Sequence, residues 1–153
     1  MLTKKTRYAL KALIALAARP ETDTVTIPEL AEREGIPRKF LETILLELKN
    51  AGILQSKRGK GGGYSLAKPA DKITLGYVVR TMEGPLAPVP CVSQTAYRKC
   101  DDCADEQACG LRIVMKDVRD AIASILDSTT LADVRERISE AVAEGRESFM
   151  YYI

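Results

Sequence analysis

The sequence predicts a mainly α-helical protein with one small β-hairpin, in which a winged helix-turn-helix is followed by a long helix. Three observations predict this fold. Three amphipathic helical segments come first, a glycine-rich hairpin follows them, and a long apolar seam at helical spacing occupies the last third of the chain. The 153 residues, of which 46% are hydrophobic and 29% charged, are typical of a globular protein that buries a real core.

Helix starts and stops delimit the three segments. The first helix is predicted over residues 4–18, and the second over residues 27–33 behind a capping box that begins at Thr26. The third opens at Pro37 and ends before Gly52. The apolar stripe of the third helix consists of Phe40, Leu41, Ile44, Leu45 and Leu48.

Two short strand-like runs, residues 53–57 and 64–67, flank the basic, glycine-rich stretch "RGKGGG" and predict a hairpin with a flexible tip. Behind it, "ITLGYVVRTMEG" predicts a short helix capped by Thr74. The proline-rich "GPLAPVP" then leads into the cysteine-containing loop.

Three helices followed by a hairpin is the element order of a winged helix-turn-helix, whose helix after the tight turn "EREGIP" enters the major groove of DNA. Charge favours a polyanion partner, since residues 1–80 carry 15 Lys and Arg against 8 Asp and Glu. An ordinary solvated surface remains the alternative. Arg38 and Glu42 are predicted to read guanine and cytosine edges, whereas Lys39 suits a phosphate equally well. The predicted DNA contacts are Arg7, Arg38, Lys39, Glu42, Thr43, Lys57, Arg58, Lys60, Gly61, Gly62 and Tyr64.

The hairpin tip argues against nucleotide binding. A phosphate-binding loop needs a helix behind its glycines, and here a strand follows them. The glycines of the tip are instead expected to let the backbone approach the sugar-phosphate closely.

All four cysteines lie in "CVSQTAYRKCDDCADEQACG", residues 91–110, with the spacing C-x₈-C-x₂-C-x₅-C. Four thiolates satisfy a [2Fe-2S] or [4Fe-4S] cluster, and zinc is the rival metal because it shares soft sulfur ligands. The candidate metal ligands are Cys91, Cys100, Cys103 and Cys109.

A metal-free alternative is a thiol switch that forms a Cys100–Cys103 disulfide, helped by Arg98 and Lys99 lowering the pKa of a neighbouring thiol. An incidental cluster of cysteines is the last possibility. The chain has no histidine, so no imidazole of the same subunit can be a ligand. If only three cysteines bind, the fourth ligand is another side chain of the loop or one from a partner subunit. The candidate carboxylates are Asp101, Asp102, Asp105 and Glu106.

Behind the cysteines, apolar residues recur in steps of three and four, which is the seam that one helix uses to pack on another. Its members are Leu111, Val114, Met115, Val118, Ala121, Ile122 and Ile125. Thr130 and Asp133 are expected to start a last helix that fades into a polar C-terminus.

Four stretches, "RYALKALIALA", "IPELAEREGIPRKFLETILLELKNAGILQSKRGKGGGYSLAKP", "ITLGYVVRTMEGPLAPVPC" and "CGLRIVMKDVRDAI…TTLADV", together resemble the IscR/NsrR/CymR family of bacterial winged-helix regulators, in register from about residue 1 to 135. The resemblance implies a dimer on a palindromic operator, with a long helix from each subunit packed on its mate. It also implies an iron–sulfur cluster on Cys91, Cys103 and Cys109, as several members carry. Cys100 departs from that pattern, which leaves its role open.

The expected organisation is a winged helix-turn-helix over residues 1–80, a linker and cysteine loop over 81–110, a dimerisation helix and terminal helix over 111–145, and a tail over 146–153. The expected protein is a cytoplasmic homodimer that binds double-stranded DNA without contacting a membrane. Its operator binding responds to a cluster, [2Fe-2S] before [4Fe-4S], with zinc as the alternative metal. The expected signals are iron–sulfur status, oxygen or nitric oxide. An enzyme is disfavoured, because the chain lacks histidine and a nucleotide motif.

Overall fold

The computed structural model describes residues 2–150, and the side chains of residues 2–145. Within that range the chain forms six α-helices and one two-stranded antiparallel sheet, which confirms the predicted fold class. The elements are α1 (Lys4–Ala17), α2 (Ile27–Glu34), α3 (Arg38–Asn50), β1 (Leu54–Lys57), β2 (Gly63–Leu66), α4 (Leu75–Glu83), α5 (Gly110–Ser128) and α6 (Leu131–Met150).

The first three helices pack around one apolar core. Leu13 of α1 meets Leu41, Ile44 and Leu48 of α3 there, each of them 0% exposed. Full burial of one such side chain contributes about 1.5–3 kcal/mol, so this cluster holds the three helices together. Phe40, predicted in the same stripe, is 37% exposed and lies edge-on against Tyr8 at the rim.

Threonine caps set the helix starts as the sequence predicts. Thr26 accepts the N–H of Glu29 at 3.4 Å, and Thr74 accepts the N–H of Tyr77 at 3.2 Å. Gly35 ends α2 in the left-handed region, with φ of 63°. The third helix begins at Arg38, one residue later than predicted.

The wing, defined as β1, β2 and the intervening residues 58–62, is fastened to the loop before α2. Tyr64 N–H donates to the Val25 carbonyl at 2.8 Å, and Val25 N–H donates back to Tyr64 at 2.9 Å. The Thr24 hydroxyl donates to the Gly61 carbonyl at 2.7 Å. These bonds add a short third strand position to the hairpin, so the wing has a set orientation relative to α2 and α3.

Helix α6 folds back onto the winged helix. Leu75 N–H donates to Thr129 at 2.8 Å and Leu131 N–H to Ile73 at 3.0 Å, which ties the α5–α6 turn to the start of α4. A capping box starts α6 as predicted: Thr130 N–H reaches the Asp133 carboxylate at 2.7 Å.

Helix α6 continues through Met150, five residues beyond the predicted end of the terminal helix at residue 145. Ala, Glu and Arg, which favour helix, dominate the end of that helix. Residues 151–153 lie outside the described residues.

Helix α5 lies against α4 through a polar contact. Arg80 of α4 donates two hydrogen bonds to the Asp127 carboxylate, at 2.5 and 2.9 Å, and they lower the pKa of Asp127. Gly76 faces this carboxylate, and a Cβ at that position would collide with it. An alanine at this position would therefore force the Asp127 side chain to shift away from its place beside Arg80.

We predict that Gly63→Ala destabilises the protein more than Gly61→Ala. Both glycines have positive φ, so alanine costs on the order of 1–2 kcal/mol at either. Only at Gly63 would the new Cβ also lie 2.5 Å from the Val25 carbonyl oxygen. This clash would push the wing away from the loop before α2. Urea unfolding of the two variants measures the difference. Equal losses of unfolding free energy would contradict this role for the Val25 contact.

Candidate DNA-binding groove and cysteine site

A groove of about 470 Å³ runs between α3 and the wing, next to the start of α2. Four cationic side chains line it, Arg38 and Lys49 from α3 and Lys57 and Arg58 from the wing. We call it the basic groove. The remaining lining residues are Thr26, Ile27, Pro28, Ser56, Gly59, Gly62, Gly63 and Tyr64. A cationic groove beside an exposed helix suits a phosphate backbone.

The structure brings five of the predicted DNA contacts into this groove: Arg38, Lys57, Arg58, Gly62 and Tyr64. Others lie outside it on exposed surface: Lys39, Glu42 and Thr43 on α3, Lys60 and Gly61 at the wing tip, and Arg7 on α1. Lys49 lines the groove but is missing from the predicted set. The signal was present, because Lys49 follows Arg38 by eleven residues, three helical turns along one side of α3.

The two predicted base readers face one another. Arg38 Nε lies 3.7 Å from the Glu42 carboxylate, and their side chains are 65% and 48% exposed. An exposed ion pair of this kind contributes at most about 1 kcal/mol, so contacts with base edges can replace it.

The wing glycines have a role inside the protein. A Cβ at Gly63 would collide with the Val25 backbone, and a Cβ at Gly62 with the Lys57 carbonyl. Tyr64 is half-buried against the core, besides holding Val25 through its backbone. The hairpin needs these residues to close at all, whatever they contact on DNA.

All four cysteines border a second cavity, of about 180 Å³, which we call the cysteine cavity. Cys91 is buried, at 6% exposure, and the other three thiols are half-buried. Cys109 occupies the N-cap position of α5. The remaining lining residues are Val89, Asp102, Leu111 and Arg112.

Cys100 lies near two other cysteines: Cys103 N–H donates to the Cys100 carbonyl at 3.2 Å, and Cys91 approaches the Cys100 side chain. A hydrogen bond between the side chains of Cys91 and Cys100 is the largest cause of the raised pKa of Cys100. Burial and the neighbouring Cys109 raise the pKa of Cys103, and Lys99 acts against them without reversing the shift. Lys99 therefore acts on the pKa of Cys103 in the predicted direction, but burial and Cys109 outweigh it.

Of the four candidate carboxylates, Asp102 alone borders the cysteine cavity. Glu106 accepts the Tyr97 hydroxyl at 2.6 Å, and Asp105 accepts the Gln107 N–H at 2.8 Å. These two carboxylates therefore stabilise the fold of the loop itself.

The cavity matches a soft metal or cluster in the chemistry and number of its donors. Among the residues that the structure describes, however, no three Cys, Asp or Glu side chains stand in an arrangement that holds a metal ion. Binding therefore requires the thiols to be drawn together.

Two arginines of α5 hold the segment that carries Cys91, a single 3₁₀ turn over Pro90–Val92. Arg112 Nε donates to the Cys91 carbonyl at 3.4 Å, and Arg119 donates to the Val92 carbonyl at 2.5 Å. Neither arginine is distinguished from a solvated cation by the sequence pattern of α5.

Helix α5 has no buried residue along its described length, and most of the predicted seam is open to solvent. Leu111 is 62% exposed, Val114 54% and Ile125 64%. Val118, Ala121 and Ile122 are also exposed, whereas Met115 is half-buried against its own chain. The seam continues into an apolar groove of about 650 Å³ beside residues 85–88.

No helix in the described part of the chain is long and apolar enough to cross a membrane.

Known proteins of similar sequence and fold are transcription regulators and not enzymes. Residues 2–137 match the Rrf2 family, described as iron-dependent transcriptional regulators. A Rhodobacter capsulatus protein named rrf2-like is 47% identical over 137 residues, which cover 88% of this chain and 91% of that protein. CymR of Bacillus subtilis is 31% identical over 153 residues, 99% of either chain.

Solved structures agree with this assignment. The structure of CymR, the global cysteine regulator of B. subtilis, aligns with a TM-score of 0.74 over 90% of this chain and 97% of that one. The T. potens IscR structure, 30% identical, aligns with a TM-score of 0.72 over 92% and 90% of the two chains. The resemblance seen in the sequence is confirmed: the chain belongs to the Rrf2 family of winged-helix transcriptional regulators.

Proposed function

We propose that this transcription regulator binds its operator under the control of an iron–sulfur cluster held by Cys91, Cys100, Cys103 and Cys109. The observation that carries the proposal is the shared cavity of all four cysteines at the N-terminus of α5. The description of the family as iron-dependent supports iron over zinc. Both [2Fe-2S] and [4Fe-4S] clusters suit four thiolates, and [2Fe-2S] is our first expectation.

The basic groove and the exposed face of α3 contact double-stranded DNA in this proposal. Arg38 and Glu42 exchange their ion pair for base edges, while Lys49, Lys57 and Arg58 neutralise phosphates. The wing stays in place because Val25 and Thr24 hold it.

Regulators of this family bind DNA and are dimeric. The exposed seam of α5 supports a homodimer built on that helix, since a second copy would bury its apolar face. Two copies of α3 related by a twofold axis read a palindrome. We place the protein in the cytoplasm, where operator DNA lies and thiols stay reduced.

A bound cluster supplies electron transfer and sensitivity to oxygen or nitric oxide. The thiols that hold it border the start of α5, and the Cys91 turn is bonded to the same helix. When the cysteine loop becomes ordered, the position of α5 changes with it. Helix α5 in turn sets the spacing of the two recognition helices in the proposed dimer.

A thiol switch without metal is the second candidate, favoured by the hydrogen bond between Cys91 and Cys100. The relative CymR, named a global cysteine regulator, aligns with nearly the whole length of this chain, which also supports a thiol switch. Zinc on the same thiolates is the remaining alternative. Neither alternative changes the proposed DNA-binding surface.

Protein purified without oxygen is expected to contain iron and acid-labile sulfide in equal amounts, about two of each per chain for [2Fe-2S]. Cys91→Ser is expected to lose both, because it removes the buried ligand. Cys100→Ser tests the fourth cysteine: unchanged iron would exclude it as a required ligand. Zinc without sulfide, or no metal, would refute the cluster.

Arg38→Ala is expected to cost about 1–3 kcal/mol on the preferred operator and to relax base preference, because its guanidinium reads a base. Lys60→Ala, at the exposed wing tip, is the comparison. It should weaken operator and random DNA alike and lower the salt slope by about one. Titrations on both DNAs at several salt concentrations measure this. An equal loss on random DNA for Arg38→Ala would refute base reading.

A further inference from the structure

Arg112 and Arg119 lie two turns apart on one side of α5, and both donate to carbonyls of the same 3₁₀ turn, Pro90–Val92. That turn carries Cys91, the most buried of the four cysteines. The two bonds connect residues 21 and 27 positions apart in the chain, so they are tertiary contacts and not local caps. We call the pair the arginine clamp.

The clamp lies on the side of α5 that faces its own chain. Arg112, Met115, Arg119, Ala123 and Leu126 are the half-buried residues of this helix, in steps of three and four. The exposed seam is the adjacent face, about 100° around the helix, because most of its members directly precede these residues, and Met115 belongs to both. The Arg119 side chain is only 13% exposed, although it also pairs with the exposed Asp120. A long cation held this closely to a carbonyl has a defined position, unlike an ordinary surface arginine.

A cluster or metal needs the thiols closer together than they stand, so Cys91 must move relative to the other ligands or they must move toward it. Cys109 is the N-cap of α5, so it can move little without moving the helix. The Cys91 backbone is bonded to the same helix by the clamp. Any shift of Cys91 relative to Cys109 therefore strains the hydrogen bonds from Arg112 to the Cys91 carbonyl and from Arg119 to the Val92 carbonyl.

We propose that Arg112 and Arg119 are positioning residues that transmit the state of the cysteine site to α5, through the Cys91 turn. The inference rests on the proposed function, because it assumes that the cysteine site controls operator binding. Without the clamp, the Cys91 turn follows the thiols while α5 keeps its position. The protein then still fills its cysteine site and still binds DNA, but the two events no longer affect one another.

The test compares operator affinity of the loaded protein with that of the same protein stripped of metal. Coupling of the size usual in allosteric proteins gives the wild type an affinity ratio of about 5–150. In Arg119→Gln the ratio is expected to fall to within about twofold of one, with iron content and absorption spectrum unchanged. Arg119→Lys, which keeps a donor and the charge, should restore part of the ratio. Lys116→Gln, an exposed cation on the same helix, is the control and should keep the wild-type ratio.

Hydrogen exchange provides a readout that needs no cluster. The amides of Val92 and Ser93 donate within the 3₁₀ turn, to Val89 and Pro90. They should exchange faster in Arg119→Gln than in Lys116→Gln, because the turn has lost its bond to α5. If Arg119→Gln does not fold, Arg112→Gln removes the other bond of the clamp and gives the same comparison.

The outcomes separate the two proposals. A wild-type ratio of one overturns the proposed function and the clamp together. A wild-type ratio well above one that survives in Arg119→Gln overturns the clamp alone. Loss of iron from Arg119→Gln would show that the arginine helps to assemble the site, which also overturns its assignment to transmission.

Discussion

The structure depends on one constraint: α5, nineteen residues long, packs on the rest of the chain without burying any of them. Two polar contacts, the Arg80–Asp127 pair and the Arg119–Val92 bond, hold it in place, together with the half-buried Met115, Ala123 and Leu126. Polar contacts of this kind contribute on the order of 1 kcal/mol each. Their sum is comparable with the 1–3 kcal/mol that couples sites in regulated proteins. These contacts thus fix the position of α5, but they are weak enough for the binding of a ligand to shift the helix.

The same helix contacts the cysteine loop and α4 directly. Its first residues follow Cys109, its inner side bonds the Cys91 turn, and its last turn meets α4 through Asp127. Helix α4 in turn packs on α1, which shares its core with the recognition helix. The cysteine loop and the recognition helix are thus joined by a continuous path of contacts. Such a path does not by itself show that a change at one end affects the other. The outer, apolar side of α5 provides the second requirement, a surface for another copy.

Local rules predicted most of the fold. The Thr26, Thr74 and Thr130 caps each start a helix where the sequence placed one, and the α3 stripe fills the core apart from Phe40 at the rim. The site was less predictable, since its decisive contacts join distant residues. Spacing could group the four cysteines and place Cys100 beside Cys103, but it could not show that the folded loop also brings Cys100 to Cys91. Nothing in the pattern of α5 distinguishes Arg112 and Arg119 from solvated cations, because their partners are backbone carbonyls of a loop.

The central claim is that the state of the cysteine site sets the separation of the two recognition helices in a dimer. Pulsed electron resonance between spin labels at Asn50, the exposed last residue of α3, measures that separation directly. The label should be carried by a non-natural amino acid, so that the four thiols stay available. The account predicts different distance distributions for the cluster-loaded protein and for the same protein stripped of metal. Identical distributions in the two samples would contradict it.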